Sequence, residues 1–161
     1  MFRKAAIALA VAVLAAPTPL LAHDATGNVV APAVLAPAAR SAVATVDAFH
    51  AALARGDTRA AAALVAEDAL IFEAGGAERT KAEYSAHHLL ADAEFSRSVS
   101  SVVTRRAGYS DGSLAWIATE GRTTGTYKGK TLDVLTTETM ILRRASGAWK
   151  IIHIHWSSAK A

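Results

Sequence analysis

The 161-residue chain contains no cysteine, which removes thiolate nucleophiles, disulfides and cysteine-ligated metal centres at once. The core alone must hold the fold. Proline is scarce: Pro17, Pro19, Pro32 and Pro37 all precede residue 38, so no later segment lacks a backbone donor. Long apolar runs are scarce too. Ala5 to Ala16 is uncharged, but it is shorter than the roughly 20 residues that span a bilayer. Excess charge is the last absence. Without Arg3 and Lys4 there are 15 basic against 14 acidic residues, a net of +1, so the sequence pI of 9.4 overstates the basicity of the remainder. That balance excludes the basic stripe that nucleic-acid binding needs, and Arg105-Arg106 and Arg143-Arg144 read as solvated strand ends.

Arg3 and Lys4 ahead of the apolar run, with small residues near Ala22, have the pattern of a secretory signal peptide over residues 1–22. Cleavage is expected after Ala22, with Ala16 and Ala25 as alternatives. The product is expected to be periplasmic or secreted, with no membrane contact after cleavage. Residues 23–39 carry Ala, Val, Thr, Gly and Pro without helical period and read as a flexible linker. Residues 40–161 then suit a single domain.

The domain begins with helical spacing. Val43, Val46, Phe49 and Leu53 fall on one helical face, Gly56 suits the left-handed position that ends a helix, and Asp57 can cap the next one. That second helix carries Ala61, Leu64 and Val65. Ala69 to Glu73 reads as a short strand before the Gly75-Gly76 turn. Thr80 and Glu83 form a T-x-x-E capping box, which starts a third helix running to about Asp92 with Tyr84 and His87 on a shared face.

Four strands are expected after it, over Glu94–Tyr109, Leu114–Tyr127, Thr131–Arg144 and Trp149–Ser158. Turns at Asp111-Gly112, Gly129 and Ser146-Gly147 separate them. Strands so long imply a strongly twisted, curved antiparallel sheet. The expected class is α+β, a cone-shaped half-barrel covered by three N-terminal helices. Strict alternation divides the last strand into Trp149, Ile151, His153, His155 and Lys150, Ile152, Ile154, Trp156. Both faces are mainly apolar, so the outer one is expected to meet a second copy in a homodimer.

The phrases AFHAALARGDTRAAAALVAEDALIFE, TETMILRR and AWKIIHIHWSS, with the capping box, resemble the nuclear transport factor 2-like superfamily over about Arg40 to Ser158. The nearest patterns are a SnoaL-like branch of unknown function, containing exported bacterial proteins, and the association domain of calcium/calmodulin-dependent protein kinase II. The superfamily includes isomerases, cyclases, epoxide hydrolases, dehydratases and noncatalytic assembly domains, so the resemblance implies a fold and a pocket before an activity. Arginines that hold small carboxylates in the kinase domain fall here at Ala118, Met140 and Trp156. The resemblance also implies that Ile152, Ile154 and Trp156 face inward and His153 and His155 outward. The same parity brings in Leu114, Trp116, Ala118 and Glu120, and Glu138, Met140 and Leu142.

Three functions remain open on these residues. A binding module would hold a small apolar or weakly polar molecule through Tyr84, His87, Trp116, Met140, Ile154 and Trp156. A small lyase, isomerase or hydrolase would use Glu138 or Glu120 as general base, its pKa raised by an apolar wall, with Tyr84 or His87 as acid or orienting donor. A noncatalytic dimerisation or assembly module would fill the hollow with core. No cofactor and no metal is expected: His87 and His88 diverge by about 100° on a helix, and His153 with His155 supply two ligands where a metal needs more.

Overall fold

The structure, a computed structural model, describes residues 35–161; the expected leader, its cleavage point and residues 23–34 of the linker lie outside the described residues. Four helices and six strands succeed one another among those described: α1 (Arg40–Ala54), α2 (Thr58–Leu64), β1 (Val65–Glu73), β2 (Gly76–Glu78), α3 (Lys81–His87), α4 (Leu89–Ser98), β3 (Val99–Ser110), β4 (Leu114–Tyr127), β5 (Lys130–Ala145) and β6 (Ala148–Lys160). The helix ends follow the local chemistry. Gly56 at φ 73° closes α1, and Asp57 accepts from the Ala60 amide at 2.9 Å to open α2. Thr80 accepts from the Glu83 amide at 3.1 Å, while the Glu83 carboxylate takes the Arg79 amide, one residue earlier than a strict capping box.

The class is α+β as expected, with two differences. The third helix is interrupted at His88, and its second half runs on to Ser98, because Leu89 and Ala93 keep the four-residue burial step. The sheet is curved, unclosed and mixed, in the order β2-β1-β6-β5-β4-β3. β1 runs parallel to β6, since the chain reaches β6 only after crossing the whole fold; all other pairs are antiparallel.

Register decides which side chains face the helices. Ile117 lies opposite Met140, so the inner row of β4 is odd-numbered, with Ala115, Ile117 and Thr123 buried. The parity expected for β4 is therefore off by one, and Leu114, Trp116, Ala118 and Glu120 face outward. On β6 a bulge leaves Ile152 unpaired between Ile151 and His153, so Trp149 and Ile151 join Ile154 and Trp156 on the inner face. A second bulge, at Thr104 of β3, turns Arg106 inward along with Val103.

Ala42, Val46, Phe49 and Leu53 of α1 pack into one core with Ile117, Met140, Leu142, Ile151 and Ile154, all nearly or fully buried. Each large aliphatic or aromatic side chain there contributes about 1.5–3 kcal/mol by leaving water. Trp149 donates its Nε1–H to Ser41 Oγ at 2.9 Å, which ties the start of α1 to β6. The last residues assigned to the linker are also packed. Leu35 bridges Gly108, the Ala36 amide donates to the Gly108 carbonyl at 3.0 Å, and Ala39 is fully buried.

Candidate functional site

The inner rows of the sheet change character halfway along. β5 reads Leu142, Met140, Glu138, Thr136, Val134 and β4 reads Ala115, Ile117, Thr119, Gly121, Thr123. Bulk is lost along both rows from Glu138 and Thr119 onward. A cavity of about 500 Å³ opens there, lined from α1, α4 and the distal halves of β3 to β6.

Glu138 sits at the boundary, only 8% exposed. Its Oε2 accepts the Trp156 Nε1–H at 2.8 Å and lies 2.7 Å from His50 Nε2 of α1. Its Oε1 is buried without a hydrogen-bond partner. Burial pushes this carboxyl up, but the bond to His50, its charge, the Trp156 donor and the charge of Arg106 outweigh burial, and the pKa is lowered. Glu138 is thus held as a carboxylate, and the raised value expected of a general base is not found.

His50 is half-exposed to the cavity, and Phe49 meets its ring edge-on. With Nε2–H donated to an ionised carboxylate, a neutral imidazole keeps its lone pair on Nδ1, which has no partner among the described residues. Arg106 donates Nη1–H to Asp47 at 2.6 Å and Nε–H to Thr119 at 3.2 Å. It lines the cavity instead of capping a solvated strand end, because the bulge at Thr104 carries it inside.

At the other end Asp92 of α4 accepts the Tyr84 hydroxyl at 2.8 Å. Burial raises the Asp92 pKa to about 6; the Tyr84 bond lowers it, and the charge of Glu73 adds to the rise. Tyr84 is itself pushed far above the ordinary phenol range by burial and by Asp92. Glu73, opposite Trp156 on β1, is raised by burial, with His88 opposing.

Of the candidate residues, Glu138 and Trp156 line the cavity. Tyr84, Met140 and Ile154 are fully buried in the core beneath it, and Tyr84 reaches the lining through its bond to Asp92 and its ring contact with Trp156. Three lie elsewhere. Trp116 is 44% exposed on the outer face, and Glu120 beside it pairs with Arg105 at 3.5 Å, both carried out by the register of β4. His87 is exposed, and His88, four residues after Tyr84, pairs with buried Glu78. His153 lies with Nδ1 at 2.9 Å from the Leu70 carbonyl on the outer face, beside Phe72 and His155. Among the described residues no group of three or more His, Asp or Glu side chains is placed to hold a metal ion.

His50, Asp92, Arg106, Asp47 and Glu73 were missed. His50 did leave a signal: it stands four residues after Val46 and seven after Val43, a polar residue on the apolar face of α1.

Residues 42–161 match the family model of the SnoaL-like domain. Among solved structures, a candidate ketosteroid isomerase of Shewanella frigidimarina is 34% identical, with a TM-score of 0.72 over 77% of this chain and 100% of that one. A candidate calcium/calmodulin-dependent protein kinase II association domain of Xanthomonas campestris is 26% identical, with a TM-score of 0.64 over 80% and 95%. A candidate dehydratase of the nuclear transport factor 2-like family from Streptomyces avermitilis is 16% identical, with a TM-score of 0.64 over 77% and 97%. No curated protein matches the chain. The match over the whole described domain and the agreement of fold place it: the chain belongs to the SnoaL-like family, with the nuclear transport factor 2-like fold.

Proposed function

We propose that this is an exported protein that binds a small molecule in the cavity under α1 and α4 and moves a proton on it, as an isomerase or lyase does. His50 is the general base and Glu138 the group that orients it. The observation that carries this reading is the pair of short contacts on Glu138 Oε2, which fix a buried carboxylate against an imidazole at the cavity wall. A carboxylate behind an imidazole selects one tautomer and stabilises the imidazolium that forms when the base takes a proton. Nδ1 then abstracts a proton next to a carbonyl or a leaving group. The guanidinium of Arg106, positioned by Asp47 and Thr119, balances negative charge that develops on the substrate. The candidate ketosteroid isomerase among the similar structures supports proton transfer of this kind.

The test is deuterium exchange from solvent into a panel of cyclic and aryl ketones, followed by NMR. The wild-type chain is expected to catalyse exchange, and His50→Gln to lose about 10²–10⁴-fold of it. Glu138→Gln should lower kcat more than it alters KM. Exchange unaffected by His50→Gln refutes the assignment; binding without exchange leaves a carrier. Export rests on Arg3, Lys4 and the apolar run after them, and the N-terminal mass of protein recovered from the periplasm tests it.

A second reading concerns the outer face of the sheet, where Val102, Tyr109, Trp116 and Leu135 are all at least 44% exposed. Such a face suits a second copy of the chain, and the similarity to a candidate kinase association domain supports self-association.

A further inference from the structure

Three adjacent strands put Glu73, Trp156 and Glu138 in one row, the first pair in parallel register and the second in antiparallel. With strands about 4.8 Å apart, an indole lies between two carboxylate-bearing positions. Asp92 reaches the same cavity from α4. The lining therefore carries four carboxylates, Asp47, Glu73, Asp92 and Glu138, against one guanidinium and one imidazole. Both of these side chains already have partners: Arg106 is bonded to Asp47 and His50 to Glu138. Glu73 and Asp92 have no ion pair among the described residues. Among the described residues the Asp92 carboxylate accepts one hydrogen bond, from the neutral Tyr84 hydroxyl, and His88, whose charge reaches both Glu73 and Asp92, is paired with Glu78. A second observation points the same way: Glu138 Oε1, on a side chain more than nine-tenths buried, is an acceptor for which the protein supplies no donor.

We propose that the molecule this cavity takes carries a protonated amine, seated against the Trp156 indole with its N–H groups directed to Asp92 and Glu73. The proposal rests on the reading that the cavity holds a small molecule, and it adds the ligand's charge. Asp92, half-buried with only a neutral hydroxyl as partner, and Glu73 in register with the indole are relieved most by a donor that brings positive charge. An indole face is the ring surface that attracts an ammonium best. The same walls repel a carboxylate, which leaves and loses its hydration for two like charges.

Titration calorimetry on the full chain, with matched amines, alcohols and carboxylates on phenyl, naphthyl and cyclohexyl frames, tests it. The amine of a matched set is expected to bind at least about tenfold tighter than the alcohol, and the carboxylate weakest, as charge-assisted and cation–π contacts require. Glu73→Gln should weaken the amine more than the matched alcohol and so shrink the amine preference, and Asp92→Asn should do the same. An alcohol that binds as well as its amine, or a carboxylate that binds best, overturns the proposal and leaves the cavity reading standing. Displacement of the amine by millimolar calcium or sodium also overturns it, by marking an inorganic-cation site. If no member of any set binds, the cavity reading and the proposal both fall.

Discussion

Asp92→Asn isolates the cost of holding a charge at the wall of the cavity. The side chain keeps its size and an oxygen to accept the Tyr84 hydroxyl, so the change removes ionisation and little else. The gap from the ordinary 3.8 to about 6, at about 1.4 kcal/mol per pH unit, caps the effect at about 3 kcal/mol. The sign follows from the direction: the native state holds a proton that the unfolded chain releases between about pH 4 and pH 6. Stability conferred by the neutral form is thus present below about pH 4 and lost as pH rises through about 6. The variant should match the wild type at pH 4 and exceed it by about 1–3 kcal/mol at pH 8. Urea unfolding of both proteins at unit pH intervals measures this. Most other titrating groups, including Glu138 and Asp68 with lowered values, cancel in the difference. A difference that stays flat from pH 4 to pH 8, or a wild type more stable at pH 8, refutes the burial argument.

Trp156→Phe keeps a ring against Phe49 and Tyr84 but deletes the donor to Glu138 Oε2, and should cost about 1–3 kcal/mol by leaving a buried carboxylate short of a partner. Denaturant midpoints unchanged from wild type would show that the bond contributes nothing. Gly108→Ala places a Cβ 2.7 Å from Ile117 Cδ1 and 3.0 Å from the Trp116 carbonyl, an overpacking expected to cost about 1–3 kcal/mol. Because Leu35 Cδ1 is 3.2 Å away, limited proteolysis near Leu35 should also quicken, and unaltered cleavage would contradict that coupling. Trp116→Asp should leave the stability of a single copy within about 0.5 kcal/mol, as surface changes do. It should separate the copies in sedimentation if they meet on this face; an unaltered oligomer would place the contact elsewhere.

The helical half was legible because its signals are local. Gly56, Asp57 and Thr80 act within four residues of themselves, and the structure uses each at the expected place. The hairpin turns are local in the same sense, with Lys128-Gly129 and Ser146-Gly147 both at positive φ as tight turns between right-twisted strands require. The parallel pairing of β1 with β6 was not legible. It joins residues some eighty positions apart, and nothing in either strand names its neighbour.

The site depends on this difference between local and distant information. Period two is a reliable rule only inside an uninterrupted ladder, and both strands that matter here are interrupted. Without the bulge at Thr104, Val103 and Arg106 would take opposite faces; without the one at Ile152, Trp149 and Trp156 would. Each bulge adds one residue and reverses every assignment beyond it, so extended counting along β3 sends Arg106 to solvent and along β6 separates the two indoles. Trp156 and Glu138 line the cavity because no bulge separates them from Ile154 and Met140, the buried residues two positions away on the same strands. His50 was passed over for a different reason. Its position on the apolar stripe of α1 was plain, but its meaning lies in Glu138, 88 residues later, and only the folded sheet brings that carboxylate to 2.7 Å.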